Sequence, residues 1–155
     1  MKGKSIIHPG AHIRGDFHTV RIGRYCQIGE NTILRPPSYQ VSLNPDEEEP
    51  IKFLPLTIGS HTRIGKNCVI EAAAIGSSVT MGDNCVISKR VIIKDCCYIA
   101  PGTVIAPDTV IPPFSRVRGC PGRLVQEGLM PESVAVTVAE DCVEMFGDFV
   151  RKNVE

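Results

Sequence analysis

An aliphatic residue recurs every six positions over much of this 155-residue chain. The longest uninterrupted run consists of Ile75, Met81, Ile87, Ile93, Ile99, Ile105, Ile111 and Val117. A small residue usually follows each aliphatic one, and another small residue recurs four places on. A fixed period sustained over this length is the sequence signature of a repeat architecture.

The same period is present earlier in the chain, although the two parts are one residue out of step between Ile70 and Ile75. The earlier aliphatic positions are Ile7, Ile13, Ile22, Ile28, Leu34, Ile58, Ile64 and Ile70. Each six-residue unit, or hexad, supplies one short strand and one corner, so three hexads close a triangular coil and coils stack about 4.8 Å apart. The sequence therefore predicts an all-β fold, a left-handed parallel β-helix of hexapeptide repeats, over residues 1–121. Left-handed winding opposes the usual crossover preference, so this prediction rests on the repeat itself.

Stacking of the coils aligns polar and glycine residues at one corner. The aligned residues, each three places after an aliphatic residue of one column, are Asn31, Asn67, Asn84 and Gly102. Asn and Gly tolerate a left-handed backbone conformation at little cost. We therefore interpret the three asparagines as structural residues with positive φ, and not as a binding site.

Four of the seven cysteines also follow the repeat. Cys26, Cys68, Cys85 and Cys97 each lie four places after an aliphatic residue, where a small inward side chain is required. We interpret them as core residues. Cys68 and Cys85 are predicted neighbours on adjacent coils, although a reducing compartment disfavours a disulfide between them. The repeat does not explain Cys96, Cys120 and Cys142.

The hexad pattern is interrupted between Pro36 and Leu56 by a stretch that contains five prolines. This composition predicts a loop that projects from one corner, at about residues 36–56. Its acidic run, Asp46, Glu47, Glu48 and Glu49, is a candidate interaction site, and Phe53 and Leu54 are expected to anchor its base. An insertion of this length is either functional or a solvated excursion, and the sequence leaves both interpretations open.

After Val117 the sequence GCPG turns the chain out of the coil, and residues 122–155 are predicted to form a helical C-terminal segment. From Glu132 to about Lys152 the apolar residues recur with helical spacing. Those predicted to share one face are Val134, Val138, Cys142, Met145 and Phe149. Because an open β-helix end exposes unpaired backbone, we expect this helix to cap or flank the solenoid.

Charge and hydropathy exclude several classes of function. The chain has 17 basic and 17 acidic residues, so no overall field favours nucleic acid or an anionic membrane. The first ten residues lack the apolar run of a signal peptide, and no later stretch is long enough to span a membrane. We therefore expect a soluble, intracellular protein without nucleic-acid binding or membrane insertion.

Two enzyme classes commonly use this fold, the γ-class carbonic anhydrases and the acyltransferases. Because the fold alone does not imply either activity, the residues must decide. Arg14, Asp16 and Gln27 resemble the residues that surround the metal in the γ-class carbonic anhydrases. The three zinc-binding histidines of that class would fall near Arg35, Lys66 and Glu71. Two cations and one carboxylate cannot replace three imidazoles, so no metal or cofactor is predicted. Arg14 and Asp16 are interpreted as a structural ion pair or backbone cap.

An acyltransferase needs a histidine that acts as general base beside the cleft between subunits. The available histidines are His8, His12, His18 and His61. The first three lie in the opening coil, and His61 is expected at an exposed corner without an acidic partner. No catalytic residue is therefore predicted, although both enzyme classes remain as alternatives.

Several blocks of the sequence are more specific than generic hexads. They are IRGD, VRIGRYCQIG, ILRPP, FLPLTIGSHTRIGKNCVI, AAIGSSVTMGDNCVISKRVIIKDCCYI and VIPPFSRVRGCPG. These blocks resemble the family of dynactin subunit five, the smaller of the two hexapeptide-repeat subunits at the pointed end of dynactin. The most distinctive parts are KDCC at Lys94 to Cys97 and IPPF followed by GCPG. The sequence departs from the family in a shorter N-terminal segment and a more acidic loop.

The resemblance implies a non-enzymatic, cytoplasmic and cytoskeleton-associated subunit that supports dynein-driven transport. It further implies three kinds of partner: the sister hexapeptide-repeat subunit, the pointed-end actin-related protein and cargo adaptors.

Overall fold

A computed structural model describes residues 3–40, 46, 50–119, 122–124 and 134–154. Nearly all strands contain two residues, as expected when each hexad contributes one short strand. In chain order the strands are β1 (Ile6–Ile7), β2 (His12–Ile13), β3 (Val20–Ile22), β4 (Gln27–Ile28), β5 (Ile33–Leu34), β6 (Ser38–Tyr39), β7 (Lys52–Phe53), β8 (Leu56–Ile58), β9 (Arg63–Ile64), β10 (Val69–Ile70), β11 (Ala74–Ile75), β12 (Thr80–Met81), β13 (Val86–Ile87), β14 (Ile92–Ile93), β15 (Tyr98–Ile99), β16 (Val104–Ile105), β17 (Val110–Ile111), β18 (Arg116–Arg118) and β19 (Arg123–Leu124). One helix, α1, extends from Val134 to Val154.

The strands form three parallel sheets that are the three sides of a triangular solenoid. Sheet A has the order β1-β4-β9-β12-β15-β18-β19, sheet B β16-β13-β10-β5-β2 and sheet C β17-β14-β11-β8-β3. The chain visits sheets A, B and C in turn and completes about six turns. The predicted left-handed parallel β-helix with a C-terminal helix is therefore confirmed.

The core is the stack of inward aliphatic residues that define the hexad period. Parallel pairing aligns each of them with its equivalent in the next coil, for example Ile70 with Leu34 and Ile87. Ile28, Ile70 and Ile99 have no exposed surface. Complete burial of an Ile side chain contributes about 1.5–3 kcal/mol, so each added coil is stabilised by its own hexads.

Three corners join the sheets and are named AB, BC and CA after the sheets they connect. Left-handed residues recur at each corner, and this explains how two-residue strands can follow one another so closely. The AB corner has positive φ at Gly10, Asn31, Asn67, Asn84 and Gly102. The CA corner has positive φ at Tyr25, His61, Ser78, Cys96 and Phe114, and the BC corner at Arg90 and Asp108.

The shift between Ile70 and Ile75 is located at the BC corner. The coil that contains β10 and β11 has one residue fewer there than a regular hexad, and its corner residues have no positive φ. The insertion leaves the same corner one coil earlier, between β5 and β8, and the regular coil resumes at the fully buried Leu56. Both irregularities therefore lie on one edge of the solenoid.

The C-terminal part both extends and flanks the solenoid. Residues 123–124 were predicted to belong to the helical segment, but they form β19. This strand pairs antiparallel with β18 at the last edge of sheet A. α1 begins at Val134 and confirms the predicted helix, whose proposed start at Glu132 lies outside the described residues. Within the described ranges, no helix has the length and apolarity needed to cross a bilayer.

Candidate protein-interaction site

The base of the insertion is an ordered hairpin. Pro36 and Pro37 are buried, and after them β6 pairs antiparallel with β7. The backbone N–H of Leu54 donates a hydrogen bond to the carbonyl of Pro37 at 2.8 Å and closes the hairpin. The predicted loop is therefore not a free excursion at its base.

An aromatic stack holds the hairpin against the first two coils. The rings of Phe53 and Phe17 are parallel, with centroids 4.6 Å apart. The guanidinium groups of Arg14 and Arg35 lie 4.4 Å and 5.1 Å from the centroid of Phe17. Stacked aromatic pairs and cation–π contacts each contribute about 0.5–1.5 kcal/mol, so this cluster joins the insertion to the solenoid.

Arg14 and Asp16 form the ion pair that the sequence suggested. Arg14 Nε and Nη2 each donate a hydrogen bond to a carboxylate oxygen of Asp16 at 3.1 Å. The hydrogen bond from Arg14 lowers the pKa of Asp16 below its ordinary value. The pair lies beside the ring of Phe17, and its structural role stays a prediction.

A second contact fixes the hairpin farther along the BC corner. Arg90 Nη1 donates a hydrogen bond to the carbonyl of Ser38 at 2.6 Å, although Ser38 is 52 residues earlier in the chain. Arg90 Nε and Nη2 also donate to the carboxylate of Asp108 at 2.6 Å and 3.0 Å. Hydrogen bonding to Arg90 lowers the pKa of Asp108. The hairpin is thus held at two heights of the solenoid.

Only one residue of the acidic run is described by the structure. Asp46 is exposed in a turn. Glu47, Glu48 and Glu49 lie outside the described residues.

The asparagines of the AB corner have the predicted backbone conformation. φ is 57° at Asn31, 55° at Asn67 and 59° at Asn84, which confirms the positive values expected from the repeat. The N–H of Asn67 donates to the carbonyl of Glu30, and the N–H of Asn84 to that of Lys66, so the corners of adjacent coils are hydrogen-bonded. Their side chains are exposed.

Helix α1 packs on the CA corner. His61 was expected at an exposed corner position, and this packing corrects that expectation. The ring of His61 stacks on Tyr25 at 5.6 Å, and Phe146 meets Tyr25 edge-on at 5.7 Å. The buried thiol of Cys142 donates a hydrogen bond to the carbonyl of His61 at 3.4 Å. His61 is therefore half-buried beneath the helix and not a surface histidine.

The predicted apolar face of α1 is correct only in part. Cys142 is buried and Val138 and Met145 are half-buried, whereas Phe149 is 40% exposed. Phe146, which was not among the residues predicted for this face, makes the aromatic contact with the solenoid. Burial raises the pKa of the Cys142 thiol to about 11.

The remaining polar candidates do not assemble into a catalytic constellation. His8 Nε2 accepts a hydrogen bond from the Gln27 amide at 2.8 Å, and His18 Nδ1 accepts one from the N–H of Thr19. His8 and Gln27 line an open groove of about 380 Å³ on sheet A, where both Arg63 and Asp83 contribute charge. In the described part of the chain, no three His, Cys, Asp or Glu side chains are grouped as metal ligands.

The six cysteines that the structure describes are buried, whereas Cys120 lies outside the described residues. Cys26, Cys68, Cys85 and Cys97 are 2% exposed or less, as the repeat predicts. Cys68 and Cys85 are both free thiols, and hydrogen bonding between them together with burial raises the pKa of Cys68. Cys96, which the sequence left unexplained, occupies a left-handed position of the CA corner with φ of 59°.

Two features of the site were missed at the sequence level although a signal was present. Tyr25 and His61 each follow an aliphatic residue by three places, as do Arg90 and Asp108. That offset, recognised from the sequence only for the Asn and Gly residues of the AB corner, marks the left-handed residues of all three corners. It would have placed Tyr25 beside His61 and Arg90 beside Asp108. No sequence signal indicated the contact between Arg90 and Ser38.

Solved structures with the same architecture include hexapeptide-repeat transferases. A hexapeptide transferase family protein from Anaplasma phagocytophilum has a TM-score of 0.55 and 16% identity, and the match covers 96% of this chain and 92% of that one. A hexapeptide-repeat acetyltransferase from Vibrio cholerae, solved with acetyl coenzyme A, has a TM-score of 0.59 and 20% identity over 83% of this chain and 72% of that one. At these identities the likeness shows the fold alone.

The sequence comparisons are more specific. Dynactin subunit 5 of Dictyostelium discoideum is 44% identical over 76 residues, which are 49% of this chain and 35% of that protein. The aligned part thus spans about a third of that relative's length. The model of the dynactin subunit 5 family matches residues 1–151. The chain therefore belongs to the dynactin subunit 5 family.

Proposed function

We propose that this chain is a non-catalytic structural subunit of the dynactin pointed-end complex. In this role it contacts the sister hexapeptide-repeat subunit, the pointed-end actin-related protein and cargo adaptors, and so supports dynein-driven transport along microtubules. It is cytoplasmic and associated with the cytoskeleton. The observation that carries the proposal is the family match over residues 1–151.

The geometry supports a binding role for the insertion. A solvated excursion needs no fixed base, yet this hairpin is held by the stack of Phe53 on Phe17 and by the hydrogen bond from Arg90 to Ser38. Ordering a segment costs about 1–2 kcal/mol per residue in backbone entropy, and these contacts offset that cost before any partner arrives. We therefore propose that the acidic run at Asp46 to Glu49 meets a basic surface of another dynactin subunit or an adaptor.

The test of the subunit role is affinity purification of the tagged full-length chain from cell lysate. The expected result is stoichiometric recovery of dynactin, including the sister hexapeptide-repeat subunit and the pointed-end actin-related protein. A hexapeptide-repeat acetyltransferase carrying the same tag is the control for the fold. Recovery of no dynactin subunit would contradict the proposal. So would one tightly bound zinc per purified chain, or turnover of acetyl coenzyme A.

The test of the loop replaces its four acidic residues by Ser or Gln. A matched variant removes four exposed acidic residues of α1: Glu140, Asp141, Glu144 and Asp148. Charges at an interface rim mainly set the association rate and its salt dependence. We expect unchanged melting of both variants, with weaker and less salt-sensitive capture for the loop variant alone. Equal capture by both variants at physiological salt would reduce the acidic run to a solvated excursion.

A further inference from the structure

The base of the insertion contains a serine with an arginine at a fixed distance before it. Ser38 is the only Ser or Thr of the chain that has an Arg three residues earlier, at Arg35. Basophilic protein kinases select this spacing, because an acidic pocket of the kinase pairs with the guanidinium group. Arg35 is exposed and Ser38 is half-buried. The segment therefore presents a charge that such a kinase can bind.

The side chain of Ser38 faces the solenoid. β6 and β7 pair antiparallel, with Ser38 directly opposite Phe53. Directly opposite residues of an antiparallel pair project to the same side of the sheet. Phe53 projects toward the solenoid, where its ring stacks on that of Phe17 at 4.6 Å. Ser38 therefore projects toward the same edge, and the other pair of the hairpin, Tyr39 and Lys52, projects away from it.

Three guanidinium groups lie along this edge. Arg90 Nη1 donates a hydrogen bond to the carbonyl oxygen of Ser38 at 2.6 Å. Arg14 and Arg35 follow paired strands of adjacent coils, and both contact the same aromatic ring. The carboxylates that pair with Arg14 and Arg90 are those of Asp16 and Asp108. Arg35 forms no ion pair within the described ranges, so its charge is available to a further anion.

We propose that Ser38 is a phosphorylation site and that Arg35 and Arg90 bind its phosphate, which locks the hairpin onto the solenoid. In the modification the Ser38 hydroxyl oxygen attacks the γ-phosphorus of ATP, the bond from this phosphorus to ADP breaks, and the hydroxyl proton passes to a base of the kinase. A phosphoserine has a charge of about −1.5 to −2 at pH 7, so opposite an arginine cluster it forms about 1–3 charge-assisted hydrogen bonds. The inference concerns the insertion alone and does not depend on the proposed dynactin role.

The hairpin opens locally, and this gives a kinase access to the serine. β6 and β7 contain two residues each, and an isolated two-stranded hairpin is only marginally stable in water. Segments with few buried contacts open without unfolding of the core. The open segment stays extended, because Pro36 and Pro37 restrict its backbone. Only the closed hairpin brings Ser38 beside Arg90, so the phosphate shifts the equilibrium toward the closed state.

The first experiment tests the modification. The full-length chain is incubated with ATP and the catalytic subunit of cAMP-dependent protein kinase, a basophilic kinase, and the phosphorylated positions are mapped by mass spectrometry. We expect phosphate at Ser38, no phosphate in this segment of Ser38→Ala, and a loss of about tenfold or more in kcat/KM for Arg35→Gln. Arg24→Gln removes an exposed arginine of the CA corner and should leave kcat/KM unchanged. Ser38→Ala should melt like the wild type, so that misfolding does not explain its lack of phosphate.

The second experiment tests the lock by amide hydrogen exchange, measured by NMR on the Ser38-phosphorylated and unmodified chains. The Leu54 amide closes the hairpin and reports its opening, and the Gly122 amide, which donates to β16 at the end of the solenoid, reports local opening elsewhere. We expect the phosphate to slow the exchange of Leu54 by about tenfold or more and to leave that of Gly122 unchanged. The double variant Arg35→Gln, Arg90→Gln should lose this slowing.

The outcomes that refute the inference are separate from those that refute the proposed function. Absence of phosphate at Ser38, under conditions in which the kinase modifies a control peptide, overturns the phosphorylation site. Unchanged or faster exchange of Leu54 in the phosphorylated chain overturns the lock, as does a slowing that persists in the double variant. None of these results changes the recovery of dynactin by the unmodified chain, which tests the proposed function alone.

Discussion

The left-handed conformation of Asn67 at the AB corner predicts how much substitutions of this residue lower the free energy of unfolding. Its φ of 55° is a conformation in which a β-carbon crowds the following carbonyl, at a cost of about 1–2 kcal/mol for residues other than Gly, Asn and Asp. Asn67→Ala should therefore destabilise the chain by about 1 kcal/mol, and the β-branched Asn67→Val by about 2 kcal/mol or more. The exposed side chain makes no contribution to the core, so cavity formation does not enter this estimate.

Equilibrium unfolding in urea and thermal melting provide the measurement. A loss of 1 kcal/mol lowers the melting temperature of a chain of this size by about 2–4 °C. Lys66→Ala is the matched control, because Lys66 is the exposed neighbour of Asn67 and has no positive φ. Asn67→Gly should retain nearly wild-type stability, since Gly adopts this conformation freely. If Asn67→Val and Lys66→Ala have the same melting temperature, backbone sterics do not set the residue preference at this corner and the reasoning is refuted.

Three further predictions concern the contacts of the insertion and the helix. Phe53→Ala should lower the melting temperature more than Phe53→Leu, because it removes both apolar area and the stack on Phe17, and equal melting would show that the stack contributes nothing. Arg90→Gln should raise the pKa of Asp108 toward its ordinary value of 3.8, measured by NMR titration, and an unchanged pKa would contradict the Arg90–Asp108 contact. The pKa of Cys142 lies above its ordinary value of 9.0, at about 11, so the unfolded chain loses this proton first as the pH rises. Stability should then fall between pH 9 and 11 by at most about 2.7 kcal/mol relative to Cys142→Ala. Parallel stability curves of the two proteins over that range would exclude the effect.

The repeat predicted the solenoid because the hexad period determines local and long-range structure together. Once Ile64 and Met81 are known to be inward residues of successive coils, their pairing follows, and so do the positions of Cys68 and Cys85. The corner asparagines follow for the same reason. In an ordinary globular fold such pairings depend on chain topology, which a short period does not encode.

The insertion and the helix could not be placed in this way. Neither shares the period of the solenoid, so the sequence gives no information on which coil each one contacts. The contact of Arg90 with Ser38 joins residues 52 positions apart and depends on how the hairpin folds back along the corner. The exposure of His61 was mispredicted because it depends on α1, which begins more than 70 residues later in the chain. The charges of the acidic run were evident from the sequence, but the contacts that hold the β6–β7 hairpin on the solenoid were not.

The three corners of the solenoid restrict the direction from which a partner can approach. Residues of α1 contact the CA corner at Tyr25 and His61, and the insertion contacts the BC corner at Arg90. The left-handed positions of the AB corner, in the described ranges, carry only Gly and the short side chain of Asn. Sheet B lies between the smooth AB corner and the corner that bears the hairpin. The helix and the insertion therefore lie at two different corners, and among the described left-handed positions those of the AB corner are the ones without a bulky side chain.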